Sequence, residues 1–263
     1  MELSWRLFAK GLLMLSLIRL FEWFPGLAFA IGDSTKIVPL WQSYNTWFEP
    51  GDFWLTNWSW VWLSIYISIT IYSLFRTRWW NVLFVALIQF QLHLILFFYI
   101  STADNWRLIC LWYAILAMAF KQPSWKIAIW KVWLVHLVMF YLLSVVHKLN
   151  YTEWRIGEAL KMAAWHPFWG KDFPDWASTK MFTYLSYVIE FTFSICYLIP
   201  RLRVFGVLLA LGFHFLLLLF LPVAGFSLVM MWCAIFVLMP HHKKRSLLSQ
   251  INAMITKKAI PSE

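Results

Sequence analysis

The stretch IAIWKVWLVHLVMFYLLSVVHKLNYTEWRIGEA, Ile127 to Ala159, decides how the rest of the chain is read. Its first part, Ile127–His147, is apolar and long enough to cross a hydrocarbon core of roughly 30 Å at about 1.5 Å per residue. Lys148 stands where that run ends, and a segment carrying Trp154 and Gly157 follows. A lysine at such a rim ordinarily snorkels its ammonium to the headgroups and contributes little to packing. Here His147 is its neighbour, with Ser144 and Tyr141 one to two helical turns back. A second ionisable group beside the lysine brings catalysis into consideration.

The rest of the sequence has the same character. It is 62% hydrophobic and 13% charged, with 20 Trp and 24 Phe among 263 residues. Soluble domains carry about 25% charged residues. The expected fold class is therefore all-α, a polytopic transmembrane helical bundle over residues 1–240 with a basic tail at 241–263. Eight spans are expected: Trp5–Ile31, Trp58–Phe75, Trp80–Ile100, Trp106–Phe120, Ile127–His147, Met181–Leu198, Val204–Leu221 and Phe226–Met239. Pro222, Val223, Ala224 and Gly225 separate the last two and signal a tight hairpin, the alternative being one long broken helix and seven spans. The first run outlasts a signal-peptide core and reads as a span.

Basic residues give the orientation. Arg6 and Lys10, Arg76 and Arg78, Lys121 and Lys126, Arg201 and Arg203, and finally Lys243, Lys244 and Arg245 fall at the N-terminus, in every second loop and in the tail, and so on one side of the membrane. That alternation predicts both termini in the cytoplasm and Lys148 at the outer rim. The net charge of +10 reads as topology and attraction to anionic lipid. Charges dispersed at helix ends are no nucleic-acid footprint. Cys110, Cys196 and Cys233 lack ligand spacing, so they read as packing residues and no metal site is expected. The Trp clusters fit an aromatic belt. The expected setting is an integral membrane protein of a bacterial inner membrane.

Polar groups inside apolar runs are costly and should face the bundle interior. They are Arg19, His93 with Gln89 and Gln91, His136, Glu190 and His214. Each alone can be an interhelical hydrogen bond. Arg19 and Glu190 carry opposite charges, so they are read as a buried pair. On the fifth span, at about 100° per residue, His147 lies only about 20° round from His136, with Ser144 between that face and the next. Tyr141 and Lys148 stack on the neighbouring face, extending a polar column to the rim.

Tyr141, His147-Lys148-Leu149, Trp154 and Gly157 together resemble the signature of the HTTM family, the membrane domain related to vitamin K-dependent γ-glutamyl carboxylase. Arg19 in the first span resembles a further family feature. So do Glu190 ahead of Pro200-Arg201-Leu202-Arg203, and His214 in the next span. The resemblance implies quinol-linked chemistry at the extracytoplasmic face. Lys148 would be the base, with His147 and His214 tuning it or relaying protons. Tyr141, Ser144, His136, His93 and Trp154 would line the cofactor site. Lysine suits that role only if its pKa is lowered, which partial burial and a neighbouring cation favour. In the carboxylase the base acts on vitamin K hydroquinone, and its reaction with oxygen leads to carboxylation of a peptide Glu.

Two departures qualify this. The carboxylase carries a large lumenal domain after its spans, where this sequence has a short basic tail. His147 also stands where the carboxylase has a second lysine. A quinol-handling membrane core acting on a peptide or small substrate is thus the leading expectation. The rival is a non-catalytic subunit or maturation factor in a larger complex. A weaker third is a proton-linked carrier using Glu190 and His214. Between Leu149 and Lys180, Thr152 or Asn150 is expected to cap a short amphipathic helix through Trp154, Ile156, Leu160 and Ala164 on the outer surface, either a lid or anchor with no chemistry or a roof above Lys148.

Overall fold

The computed structural model of the chain describes residues 2–32, 59–95, 102–157, 180–220 and 224–238. All regular structure among these residues is helical, and none of it is strand. The helices are α1 (Glu2–Gly32), α2 (Ser59–Phe75), α3 (Trp79–Ile95), α4 (Thr102–Ala119), α5 (Pro123–Asn150), α6 (Thr152–Ile156), α7 (Lys180–Leu198), α8 (Arg203–Phe220) and α9 (Ala224–Leu238). Each expected apolar run coincides with one helix. The basic tail at 241–263 lies outside the described residues. Among the described residues, Pro123–Asn150 and Met181–Leu198 are long and apolar enough to cross a membrane. Shorter apolar helical runs are Ser64–Phe75, Trp79–Phe90, Asn105–Ala119, Arg203–Leu218 and Phe226–Leu238.

Helix ends follow local chemistry. Pro123 occupies the first turn of α5, where its missing N–H costs nothing and its fixed φ suits the helix. Between α7 and α8, the Leu202 N–H donates to the Ile199 carbonyl at 2.9 Å, closing a turn with Pro200 at its second position. Arg203 then reaches back, its Nε donating to the Tyr197 carbonyl at 2.9 Å. That satisfies one of the carbonyls α7 leaves open at its C-terminus. The guanidinium also lies 5.1 Å from the Trp130 ring centre, a cation–π contact.

Packing joins the helices into one bundle. α1 packs on α2, α4 and α9, while α4 also meets α3, α5 and α9. α5 packs on α7, α7 on α8, and α8 on α9. Because α8 and α9 lie against each other, with the His214 and Phe226 rings 5.7 Å apart, they form a hairpin and not one broken helix. The core centres on aromatic rings from α1, α5 and α9. Phe8 stacks on Phe236 at 3.9 Å, and Trp133 meets both edge-on at 5.4 and 5.0 Å. Cys110 and Cys233, both fully buried, bring α4 and α9 together with sulfurs 3.7 Å apart. Both remain thiols, as packing residues do.

Two glycines permit close helix approach. A Cβ on Gly11 would fall 2.1 Å from the Trp232 ring, whose Nε1 donates to the Phe8 carbonyl at 3.0 Å. A Cβ on Gly206 would lie 2.6 Å from the Cys196 Cβ and 3.3 Å from the Phe193 carbonyl. Gly206, Ala210 and His214 recur every four residues, so they share one face of α8. Two small residues on that face bring α8 onto α7 and deliver His214 to the interior.

The Gly206 contact is backbone-limited, so Gly206→Ala should overpack it and cost about 1–3 kcal/mol. Gly212→Ala, which meets nothing within 4 Å, should be close to neutral. Thermal unfolding of both variants in detergent checks the contrast.

Candidate functional site

α5 carries one end of the site. It continues to Asn150, beyond the expected end of the apolar run, so His147 and Lys148 fall in its last turn. Cations are favoured there because the carbonyl ends of the helix dipoles converge on them. The two side chains then diverge. His147 is exposed, its ring 4.4 Å from that of Tyr151. Lys148 turns inward and its Nζ forms an ion pair with Glu190 Oε1 of α7. The lysine side chain is 15% exposed and the glutamate 6%. Glu190 Oε2 is buried and has no hydrogen-bond partner among the described residues.

A second polar pair lies deeper. Tyr141 sits seven residues before Lys148, about 10 Å down the same side of α5. Its hydroxyl is 2.8 Å from His214 Nε2 of α8. Both residues are buried, and His214 Nδ1 has no partner among the described residues. Phe193 meets the Tyr141 ring edge-on at 4.5 Å, and Phe213 and Phe226 flank the imidazole at 5.3 and 5.7 Å. Tyr197 stands 6.5 Å from the Tyr141 ring, its hydroxyl buried and without a partner among the described residues.

α6 roofs the outer pair. The Trp154 ring centre lies 4.9 Å from Lys148 Nζ. Two tyrosines of α7 tether the roof: Tyr187 donates to the Trp154 carbonyl at 3.0 Å and Tyr184 to the Arg155 carbonyl at 2.9 Å. Gly157 ends the turn at φ 84°, a left-handed conformation that favours glycine. The expected helix through Leu160 and Ala164 falls in part outside the described residues. α6 ends at Ile156, and residues 158–179 lie outside the described residues. Its first hydrogen bond runs from the Arg155 N–H to the Tyr151 carbonyl. The Thr152 hydroxyl instead accepts from the Arg155 guanidinium at 3.2 Å, so neither Thr152 nor Asn150 acts as the expected cap.

Several sequence expectations are thereby sorted. Tyr141, Lys148, Trp154, Glu190 and His214 converge. His136 does not join them: its Nδ1 is 3.1 Å from the Tyr113 hydroxyl, and its ring meets Trp106 edge-on. Ser144 is half-buried on α5. The expected column from His136 through His147 is therefore split, because α5 turns the Tyr141–Lys148 face toward α7. Arg19 and His93 belong to α1 and α3 by backbone, and their side chains lie outside the described residues. Glu190, read from charge as the partner of Arg19, forms an ion pair with Lys148; the expected pair with Arg19 falls outside the described residues.

Sequence reasoning missed three groups. Arg107, Lys126 and Arg203 are buried cations that lie at or beyond the edges of the expected spans. Tyr113 is the partner of His136. Tyr184 and Tyr187 hold the roof. One signal was available: Thr183, Tyr187, Glu190, Ser194 and Tyr197 alternate spacings of four and three, the repeat of a single buried helix face.

Lys148 is more than a rim lysine, since its removal strands a buried carboxylate. Lys148→Met should lower stability by about 3–5 kcal/mol, and adding Glu190→Leu should recover much of the loss. A double-mutant cycle of detergent melting curves checks the coupling; strictly additive losses would contradict it. Tyr141→Phe leaves His214 with neither ring nitrogen bonded within the described residues and should cost about 1–3 kcal/mol by the same measurement.

Compared with protein-family models, with curated proteins and with solved structures, the chain matches none of them.

Proposed function

We propose that the protein is a polytopic membrane enzyme of eight spans, with both termini cytoplasmic. On this reading it binds a lipophilic quinol and handles protons at the Lys148–Glu190 pair, at the extracytoplasmic face. The membrane reading is supported by the bundle's exterior. Ile127, Val132, Val135, Met139, Leu143 and Val146 are exposed along α5, as are Val188 and Phe191 on α7 and Leu208, Phe215 and Leu216 on α8. Apolar surface this continuous calls for a cover. Lys126 and Lys148 stand roughly 33 Å apart along α5, close to a hydrocarbon thickness of roughly 30 Å. The alternating basic loops supply the orientation.

The enzymatic reading is carried by one observation. Residues picked out by the HTTM resemblance, up to 73 positions apart, pair along one seam: Tyr141 with His214, and Lys148 with both Glu190 and Trp154. The Arg19 side chain lies outside the described residues. The residues fit a hydroxylated aromatic lipid. Glu190 Oε2 and His214 Nδ1 are buried polar atoms with hydrogen-bonding capacity to spare among the described residues, and Phe193, Phe226 and Trp154 are apolar neighbours. A bound quinol would supply two electrons and two protons. Trp154 and the tyrosine-tethered roof would shield the pair from water, and the ammonium of Lys148 would steady a nearby negative charge. A peptide or small substrate would approach from outside. The rival, a non-catalytic subunit of a membrane complex, needs the same residues only for packing.

Solvent extraction of the purified protein should release a lipophilic quinone in stoichiometric amount; phospholipid alone would favour the rival. Cysteines placed at Ser34 and Ser178 should react with an impermeant maleimide added outside intact cells, and one at Ser249 should not. Labelling of the tail position would break the eight-span topology.

A further inference from the structure

The outer pair contains two candidate proton acceptors, and its geometry distinguishes them. Lys148 Nζ is engaged on two sides, by Glu190 Oε1 and by the Trp154 ring at 4.9 Å. A carboxylate, an indole face and a helix C-terminus all bind an ammonium better than an amine. An ammonium has three donors and no lone pair, so it cannot take a proton. Glu190 differs. Its Oε1 faces Lys148, while Oε2 is buried and has no partner among the described residues. A buried, ionised oxygen with both lone pairs open is a strong acceptor for a hydroxyl donor.

Among the described residues, several neighbouring polar groups are engaged elsewhere. Tyr187 spends its hydroxyl on the Trp154 carbonyl. Tyr141 and His214 hold each other. The Ser194 hydroxyl donates to the backbone carbonyl of Glu190 at 2.5 Å and leaves the carboxylate alone. His147 is exposed and lies against Tyr151.

We infer that Glu190, through Oε2, is the group that accepts a proton from a bound hydroquinone, and that Lys148 serves as the ammonium that balances the resulting charge. The inference rests on the quinol reading above. In the step the ligand O–H bond breaks and a new O–H bond forms at Oε2. The electron pair stays on the ligand oxygen. The carboxylate becomes neutral, so Lys148 exchanges one anionic partner for another and net charge is conserved. Lys148 then acts as an electrostatic partner, a different role from the free base implied by the family resemblance.

The test uses the full chain in lipid nanodiscs, without oxygen, with 2-methyl-1,4-naphthohydroquinone as probe at a pH where the free probe is neutral. Binding is followed by tryptophan quenching, and probe ionisation by its ultraviolet absorption. Wild type should bind and show the anion band. Glu190→Gln should bind and lose the band, although Lys148 is then freed from its carboxylate. A band that persists in Glu190→Gln would show that Glu190 is not needed to take the proton and would overturn the inference while leaving the quinol reading intact. Absence of binding to wild type would overturn both. Should Glu190→Gln fail to fold, infrared difference spectra of wild type decide the matter. Binding should produce the carbonyl stretch of a protonated carboxylic acid, and its absence would overturn the inference.

Discussion

A carboxylate enclosed by apolar helices needs a cation within reach, and Glu190 has Lys148. That requirement organises the seam between α5 and α7. The pair forms only when the last turn of α5 lies level with the middle of α7, so it selects one axial register for the two helices. Tyr141, two turns below Lys148 on the same face, is then brought level with Phe193 and with His214 of α8. Burial raises the stakes of the arrangement, because an unpaired charge in this seam costs far more than one at a surface.

The same interaction reaches the roof. With Lys148 held by Glu190, the Trp154 ring can lie near the ammonium, and Tyr184 and Tyr187 of α7 can catch the carbonyls of α6. α6 is a helix of only five residues, too short to be stable alone. Its order comes from contacts with α5 and α7. At the other end of α7, Arg203 caps the helix and leans on Trp130 of α5. The α5–α7 seam is thus closed at both ends by a cation against a tryptophan, with Tyr141 and His214 sealed between.

Gly206 and Ala210 decide how near α8 can come to α7, and so whether His214 meets Tyr141 at all. A larger side chain at either position would push the imidazole outward. The proposed chemistry would then depend on packing well away from the reacting groups, since the polar pairs are cross-helix contacts with no support from within one segment. An apolar exterior fits this economy: in the proposed membrane setting, lipid covers the outside and leaves polar side chains only the interior seams as refuge.

The sequence by itself determined the helices. Apolar runs of this length, with proline and glycine between them, read as helices, and each expected run is a helix within a few residues. It also singled out Lys148, Glu190 and His214, since polar groups stand out against an apolar background, Tyr141 by its helical spacing from Lys148, and Trp154 through the HTTM resemblance. Their partners were decided only by tertiary structure. Charge offered Glu190 the cation Arg19, and nothing local pointed to Lys148; the packing of α7 on α5 brings that lysine to it. Helical periodicity grouped His136 and His147 with the site, yet a face becomes a site only when a neighbouring helix covers it. α7 covers the Tyr141–Lys148 face and leaves His147 outside. Buried Arg107, Lys126 and Arg203 were hidden for the same reason: a cation at the edge of a run looks solvated until another helix is seen to lie across it.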